Sequence, residues 1–287
     1  MVAAEQLGLE GMPRRLYVCT PSRLNAWLDC PRRYRMTYLD RPPPSKGPPW
    51  AHNSLGASVH NALAAWWRLP PPERTTEMAG SLLLRGWLTE GYRDAEQAAE
   101  WRERARAMVE RYVAGLDPAD EPIGVERTVA TRTDVIAVSG RVDRLDVRGA
   151  DVVVVDYKTG RHLLTAADAR GSLALALYAV AAARVLRRPC HRVELHHLPT
   201  GTVVTWDHTD ESLRRHLTRA EAIAKECAEA DEAFRAGLDG DHVDERFPPR
   251  PGGQCSWCDF VRHCPEGLRA APRKTSWSGL AVPPPPE

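Results

Sequence analysis

The sequence has almost no net charge, no long hydrophobic run, no internal repeat and no phosphate-binding glycine loop, and each absence closes off a class of function. Thirty-nine Lys and Arg face thirty-eight Asp and Glu, a formal charge of +1. No global basic field therefore announces a nucleic-acid partner. The longest uncharged apolar run, Gly171 to Ala183, is well short of the roughly 20 residues that cross a bilayer, so no membrane association is expected. Met1 to Arg15 contains acids and lacks an apolar core, and does not read as a secretory signal. In a chain without such a signal, the seven cysteines point to a reducing cytoplasm, where clustered thiols are more often metal ligands than disulfides. No Gly-x-x-x-x-Gly-Lys-Ser/Thr sequence occurs, so the chain carries no recognisable ATP motor.

What is present is ordinary in bulk and uneven in detail. A content of 43% hydrophobic and 27% charged residues suits a soluble globular chain with a substantial core. The expected organisation is a flexible N-terminus over residues 1–15, one elaborated domain over 16–270, and a disordered tail over 271–287 that ends in Pro283–Pro286. Between Pro13 and Lys46 basic residues greatly outnumber Asp29 and Asp40, with Tyr34, Tyr38 and Trp50 in or beside them. Such a mixture suits a single-strand groove and equally suits a solvated face. Thr20-Pro21-Ser22 reads as a helix start, a second helix follows Cys30-Pro31, and further helices are expected over Asn53–Arg68, Glu73–Tyr92 and Ala95–Leu116. From Glu126 the character turns to β: Arg127–Thr131, Val135–Val147 and Val152–Tyr157 are rich in Val, Ile and Thr. An apolar helix over Leu173–Leu186, a hairpin of Arg192–Leu198 with Thr202–His208, and an amphipathic helix over Glu211–Arg235 complete an α/β pattern.

Chemistry concentrates in Gly140-Arg141-Val142-Asp143 and Asp156-Tyr157-Lys158-Thr159-Gly160. Gly149-Ala150 offers a two-residue turn with glycine first. If Arg148 pairs with Asp151, Leu145 faces Val154 and Asp143 falls opposite Asp156, roughly 5 Å apart at Cβ. One strand face is then apolar near the turn and ends in two carboxylates, with Lys158 in step on the same face. Carboxylates so close repel, and one stays protonated unless a cation lies between them. Oxygen ligands favour Mg²⁺ or Mn²⁺. Such an ion polarises a phosphodiester and activates water, and a neighbouring lysine stabilises developing negative charge.

Asp143 followed by Asp156-x-Lys158 at a strand end resembles the PD-(D/E)xK nuclease signature, and Gly-x-x-Asp…Asp-Tyr-Lys-Thr-Gly is similar to its RecB and AddB branch. The resemblance covers about Leu16 to Glu266 and implies a restriction-endonuclease-like α/β core, a mixed sheet flanked by helices. It also implies phosphodiester hydrolysis in DNA, by exonuclease action in repair or recombination, on DNA that is single-stranded or has free ends. It makes His60, in Gly56-Ala57-Ser58-Val59-His60, a metal ligand beside Asp143 and Asp156, with Lys158 orienting or activating the nucleophile. Glu126 is a further candidate ligand. Tyr178 matches the tyrosine of the branch's Gln-x-x-x-Tyr motif, but Ala174 stands at the glutamine position, which puts substrate orientation in doubt. Branch members often work beside a helicase, and the missing motor fits such a partner.

Cys255-x2-Cys258-x5-Cys264 stands far from Cys30 in the sequence. Four thiolates can hold either a [4Fe–4S] cluster or Zn²⁺. The spacing resembles the iron–sulfur staple of AddB and of the four-cysteine CRISPR adaptation nucleases, which implies the cluster and a structural role for it. Cys19 competes with Cys30 as the distant ligand; Cys30-Pro31-Arg32-Arg33-Tyr34 matches the branch. Cys190 and Cys227 read as buried apolar thiols. Two other readings stand beside the nuclease: a non-catalytic DNA-binding scaffold that keeps fold and cluster, and a CRISPR adaptation nuclease.

Overall fold

The computed structural model describes residues 16–237 and 240–280. The expected flexible stretch 1–15 and the proline-rich end, 281–287, lie outside the described residues. In chain order the elements are β1 (Tyr17–Cys19), α1 (Pro21–Asp29), α2 (Pro31–Tyr38), α3 (Ala51–Trp67), α4 (Thr76–Arg85), α5 (Ala95–Ala114), β2 (Gly124–Arg132), β3 (Ile136–Arg148) and β4 (Asp151–Lys158). There follow α6 (Ala166–Gly171), α7 (Leu173–Leu186), β5 (Arg192–His197), β6 (Thr202–Asp207), α8 (Asp210–Arg235), α9 (Gly240–Arg246) and α10 (Pro265–Ala270). Several helix starts are legible in single residues. Thr20, Thr75, Asp94, Ser172 and Thr209 stand at N-caps, and each side-chain oxygen accepts from the backbone N–H three residues on, which satisfies a donor the helix cannot.

The sheet is mixed, as expected. β2 runs antiparallel along one edge of β3. The other edge of β3 is shared: β1 pairs with Ile136–Val138 in parallel, and β4 pairs with Arg144–Arg148 antiparallel. Between Val138 and Arg144 that edge is forked. β4 then pairs in parallel with β5, and β5 antiparallel with β6. Val153, Val155 and Tyr157 of β4 pack in one core with α3, α4 and α5, while Val152 and Val154 pack on the opposite face with α7. Burial on both faces explains why this strand reads as an unbroken apolar run rather than an alternating one. A third core joins β1, α1, α7 and α8 around Tyr34 and Phe247.

Three expectations are corrected. The helix expected to reach Tyr92 ends at Arg85 with Gly86 as its C-cap, and further on Gly91 adopts φ +86° against Pro49 and Ala51, where a Cβ would lie 2.5 Å from Ala51 N. The tail is not free from Ala271: Ser276 O accepts from Ala51 N at 3.0 Å, and Leu280 is buried in the core beside Trp277. The basic, aromatic N-terminal stretch is not a groove. Arg23 lies 5.0–5.4 Å over the rings of Tyr17, Tyr34 and Tyr38 and pairs with buried Asp231 at 2.8 Å. Tyr34 OH also donates to Asp231, at 2.8 Å, and buried Arg32 pairs with Glu266 and Asp244 at 2.6 and 3.2 Å. These charges tie α1 and α2 to α8 and to the C-terminal segment.

Replacing Asp231 by Ala leaves the Arg23 guanidinium and the Tyr34 hydroxyl without their shared acceptor. Urea denaturation of Asp231→Ala is expected to show a loss of about 3 kcal/mol, the lower end for breaking a buried pair, because Arg23 keeps some access to water.

Candidate metal centre

The β3–β4 hairpin pairs in the expected register, from Arg148 with Asp151 to Arg144 with Val155. The ladder stops one step short of Asp143 and Asp156. There the Tyr157 N–H donates to Asp143 Oδ2 at 2.8 Å, so a side chain takes the place of the next backbone acceptor. β4 continues against β5 alone, with Asp156 beside Leu195 and Lys158 beside His197. The opening lets groups from both helical layers reach the same point. His60 arrives from α3, its Nδ1 3.3 Å from Asp143 Oδ1 and its ring edge-on to Tyr157 at 5.7 Å. Tyr178 arrives from α7 and lies on Gly140: a Cβ there would sit 2.4 Å from the phenol ring. Ala174, half-buried one turn earlier on α7, presents only a methyl.

Glu126 stands on β2 between the pairs Val125–Arg144 and Arg127–Val142, in register with Asp143, but its φ of +49° interrupts the ladder. A left-handed backbone costs a non-glycine residue about 1–2 kcal/mol, and such strain collects at functional sites. One ligand atom from each of His60, Glu126 and Asp143 falls within 4.8 Å of the others. Glu126 is also held by Arg141 Nε at 2.7 Å. A glutamate at a strand edge is commonplace in a sequence, and the left-handed backbone that distinguishes Glu126 leaves no mark there.

Asp156 is not in that trio. Lys158 Nζ lies 2.6 Å from its Oδ2, and the two form an ion pair. Burial raises the Asp156 pKa and the charge of Asp143 adds to the rise, while Lys158 opposes it. Burial pulls His60 down, but its bond to Asp143 and the charges of Asp143, Asp156 and Glu126 outweigh that and leave it raised. Burial, then Asp156 and Asp143, raise the Tyr178 phenol. The arrangement gathers more negative charge than it neutralises, within a cleft of about 400 Å³ lined by His60, Glu126, Gly140, Asp143 and Tyr178. A cavity of about 670 Å³ lies elsewhere, among Trp67, Arg144, Glu194 and His196. There Glu194 is paired to Arg148 and to His196.

Cys30, Cys255, Cys258 and Cys264 line one recess at the junction of α1, α2 and the C-terminal segment. Cys19 and Cys227 are buried in the core around Tyr34, and Cys190 in the core under α7, so Cys30 and not Cys19 meets the distant three. Arg250 N–H points at Cys30 Sγ (3.5 Å), and Gly267 N–H and Arg32 Nη1 point at Cys264 Sγ (3.4 and 3.8 Å). Gly267 packs against two of the sulfurs: a Cβ there would lie in ordinary contact with Cys264 Sγ at 3.4 Å and Cys255 Sγ at 3.5 Å.

The mixed sheet and the acidic site at its fork are those of a nuclease core, and a sequence model of the PD-(D/E)XK nuclease superfamily matches residues 18–265. The chain belongs to that superfamily. Among solved structures it is similar to a "Putative exonuclease" from Eubacterium rectale, at 10% identity and a TM-score of 0.48, over 86% of this chain and 88% of that one. It is also similar to SSO0001, at 14% identity and a TM-score of 0.36, over 88% of this chain and 87% of that one. Both likenesses are distant, and neither adds to the assignment. No curated protein matches the sequence.

Glu126→Gly and Glu126→Gln both remove the carboxylate, but only glycine relaxes the left-handed backbone. Glu126→Gly is expected to be the more stable of the two by about 1 kcal/mol, read as a higher midpoint in urea. Equal midpoints would mean that the backbone at this position is unstrained.

Proposed function

We propose that the chain is a divalent-metal-dependent DNA nuclease, and the observation that carries this reading is the convergence of His60, Glu126 and Asp143 beside the Asp156–Lys158 pair. The donor set of carboxylate oxygens and one imidazole suits Mg²⁺ or Mn²⁺, and Asp156, buried and paired with Lys158, stands beside it. His60, Glu126, Asp143 and Asp156 would hold the ion, which when bound would supply charge to the scissile phosphate and lower the pKa of water. Lys158 stands at the mouth, about half exposed, where its ammonium can hold the attacking water and meet the charge that builds on phosphate oxygens. Tyr178 walls the cleft, and its raised pKa keeps the hydroxyl protonated as a donor to a phosphate oxygen. The Asp-Tyr-Lys-Thr-Gly wording supports placement in the RecB-type branch, and with it exonuclease action in DNA repair, a helicase partner and a cytoplasmic setting. Among the described residues no helix is long and apolar enough to cross a membrane.

The four cysteines are proposed to hold a [4Fe–4S] cluster. N–H groups aimed at the sulfurs stabilise ligating thiolates. A single zinc would draw its sulfurs to about 3.8 Å apart, given Zn–S bonds of about 2.3 Å. Among the described residues the trio of ligand atoms gathered within 4.8 Å is the His60 group, and the cysteine sulfurs are set wider.

With end-labelled DNA, Asp143→Ala, Asp156→Ala and Lys158→Ala are each expected to lower Mn²⁺-dependent cleavage by about a hundredfold or more, with melting temperature preserved. Undiminished cleavage by any of the three would overturn its assignment, and a folded wild type inert with Mg²⁺ and Mn²⁺ would favour the scaffold reading, consistent with Ala174. Because His60 and Asp156 both have raised pKa values and must lose protons to bind metal, Mn²⁺ affinity is expected to rise with pH through the range where they titrate. Calorimetry in buffers of different ionisation enthalpy would show proton release; an affinity independent of pH would remove these two ligands. Protein purified without oxygen is expected to be brown, with broad absorption near roughly 400 nm. The colour should be lost in Cys30→Ala, Cys255→Ala, Cys258→Ala and Cys264→Ala but kept in Cys19→Ala, and stoichiometric zinc without iron would replace the cluster by Zn²⁺.

A further inference from the structure

Two recesses flank the end of β4, and they differ in sign. The first holds Glu126, Asp143 and His60. The second, about 650 Å³, is walled by His52, Asn53 and Gly56 of α3, by Tyr157 to His162 at and beyond the end of β4, and by Trp257. Gly56 lines both, with space for a Cβ only up to Thr159 Oγ1 at 3.4 Å, so the two are halves of one path over α3. Among the described residues no carboxylate lines the second half. Its cations are Lys158 and Arg161, both exposed.

Trp257 belongs to the short turn Gly253–Trp257, between Cys255 and Cys258. Its indole is half-buried and braced from behind. Trp50 lies 5.3 Å away and His52 meets it edge-on at 5.5 Å. Trp50 is itself held by Asp259, 2.8 Å from Nε1 to Oδ1. Lys274 Nζ lies over the Trp257 ring, 4.1 Å from its centre, so a base stacks on that face only by displacing it. A rigid aromatic surface, exposed cations on the way to it and an absence of acids form the combination that binds a single strand, phosphates on the cations and a base on the ring. A duplex keeps its bases stacked inside and offers nothing to an indole.

We propose that Trp257 is a base-stacking residue of this enzyme, which receives one unpaired base of a single DNA strand whose backbone follows Arg161 and Lys158 to the metal site. This inference builds on the nuclease reading and makes the cysteine-bearing turn part of substrate recognition as well as a staple. Trp257 touches neither the metal ligands nor the scissile phosphate, so it acts on binding rather than on bond cleavage.

Binding measured in EDTA separates this inference from the nuclease reading, because no cleavage is required. Fluorescence anisotropy would compare a short oligothymidine with an abasic deoxyribose-phosphate strand of the same length and label. The wild-type protein is expected to bind oligothymidine more tightly by roughly five- to a hundredfold, the range one stacked base supplies. Trp257→Ala should bring the two strands close to equal affinity, whereas Trp257→Phe should keep most of the difference. Arg161→Ala should weaken both strands alike. In cleavage assays with Mn²⁺, Trp257→Ala should raise KM by a similar factor and leave kcat within about twofold, since binding energy shared by ground and transition states moves KM alone. Equal binding of the two strands by wild-type protein would overturn the proposal, and needs no variant to fold. So would a Trp257→Ala protein that keeps wild-type visible absorption and still prefers oligothymidine. A wild type that discriminates between the strands but never cleaves would leave this inference standing and sink the nuclease reading.

Discussion

The hydrogen bond from the Tyr157 N–H to Asp143 Oδ2 marks where β3 and β4 stop being a hairpin and become two walls of a site. Were the ladder to run one pair further, Asp143 and Asp156 would be an ordinary cross-strand pair on a sheet face. The split edge of β3, taken by β1 at one end and β4 at the other, leaves Ser139 to Asp143 without a strand on that side. Into this opening come His60 from the layer above the sheet and Tyr178 from the layer below. Gly140 allows the close approach of Tyr178, and Glu126 bends out of β2 to complete the ligand group. Each of these features depends on the ladder ending where it does.

The electrostatics follow from the same convergence. Three carboxylates and an imidazole are brought together with Lys158 and Arg141 as the nearby cations. Burial, with the charge of Asp143, raises Asp156 against the pull of Lys158, and the surrounding carboxylates raise His60 against its burial. The remaining buried charges in the molecule behave differently. Arg23 with Asp231, Arg32 with Glu266, and Arg148 with Glu194 are pairs of opposite sign that settle their own balance and fix helices or strands in place. Unbalanced charge at the fork of the sheet, against balanced charge elsewhere, distinguishes the functional centre from structural ionic contacts.

The cysteine recess and the metal centre are linked through the chain that joins them. Cys30 caps the start of α2, and the turn carrying Cys255 and Cys258 also carries Trp257, which reaches back to Trp50 and His52 at the start of α3. The helix that supplies His60 is therefore braced at its N-terminus by the segment the cysteines hold. Loss of whatever the cysteines bind would loosen both the staple and the wall of the second recess.

Much of this was legible in the sequence, for local reasons. The turn at Gly149-Ala150 sets the register of β3 and β4 because side-chain alternation allows no intermediate pairing, and that register puts Asp143, Asp156 and Lys158 in step. N-cap residues mark the helices, and the apolar run of β4 marks a strand covered on both faces. What only the tertiary structure decided are features that depend on partners far along the chain. Whether Arg23, Arg32 and Arg35 would face solvent or the interior turned on Asp231, Asp244 and Glu266, some two hundred residues away. The end of the β3–β4 ladder depended on a side chain competing with the backbone for one N–H. Glu126 became a ligand candidate through a left-handed turn of its backbone, and Trp257 came to face a groove through packing against Trp50 and His52. Local spacing encodes register; long-range contact decides which groups are left without a partner, and those are the groups available for chemistry.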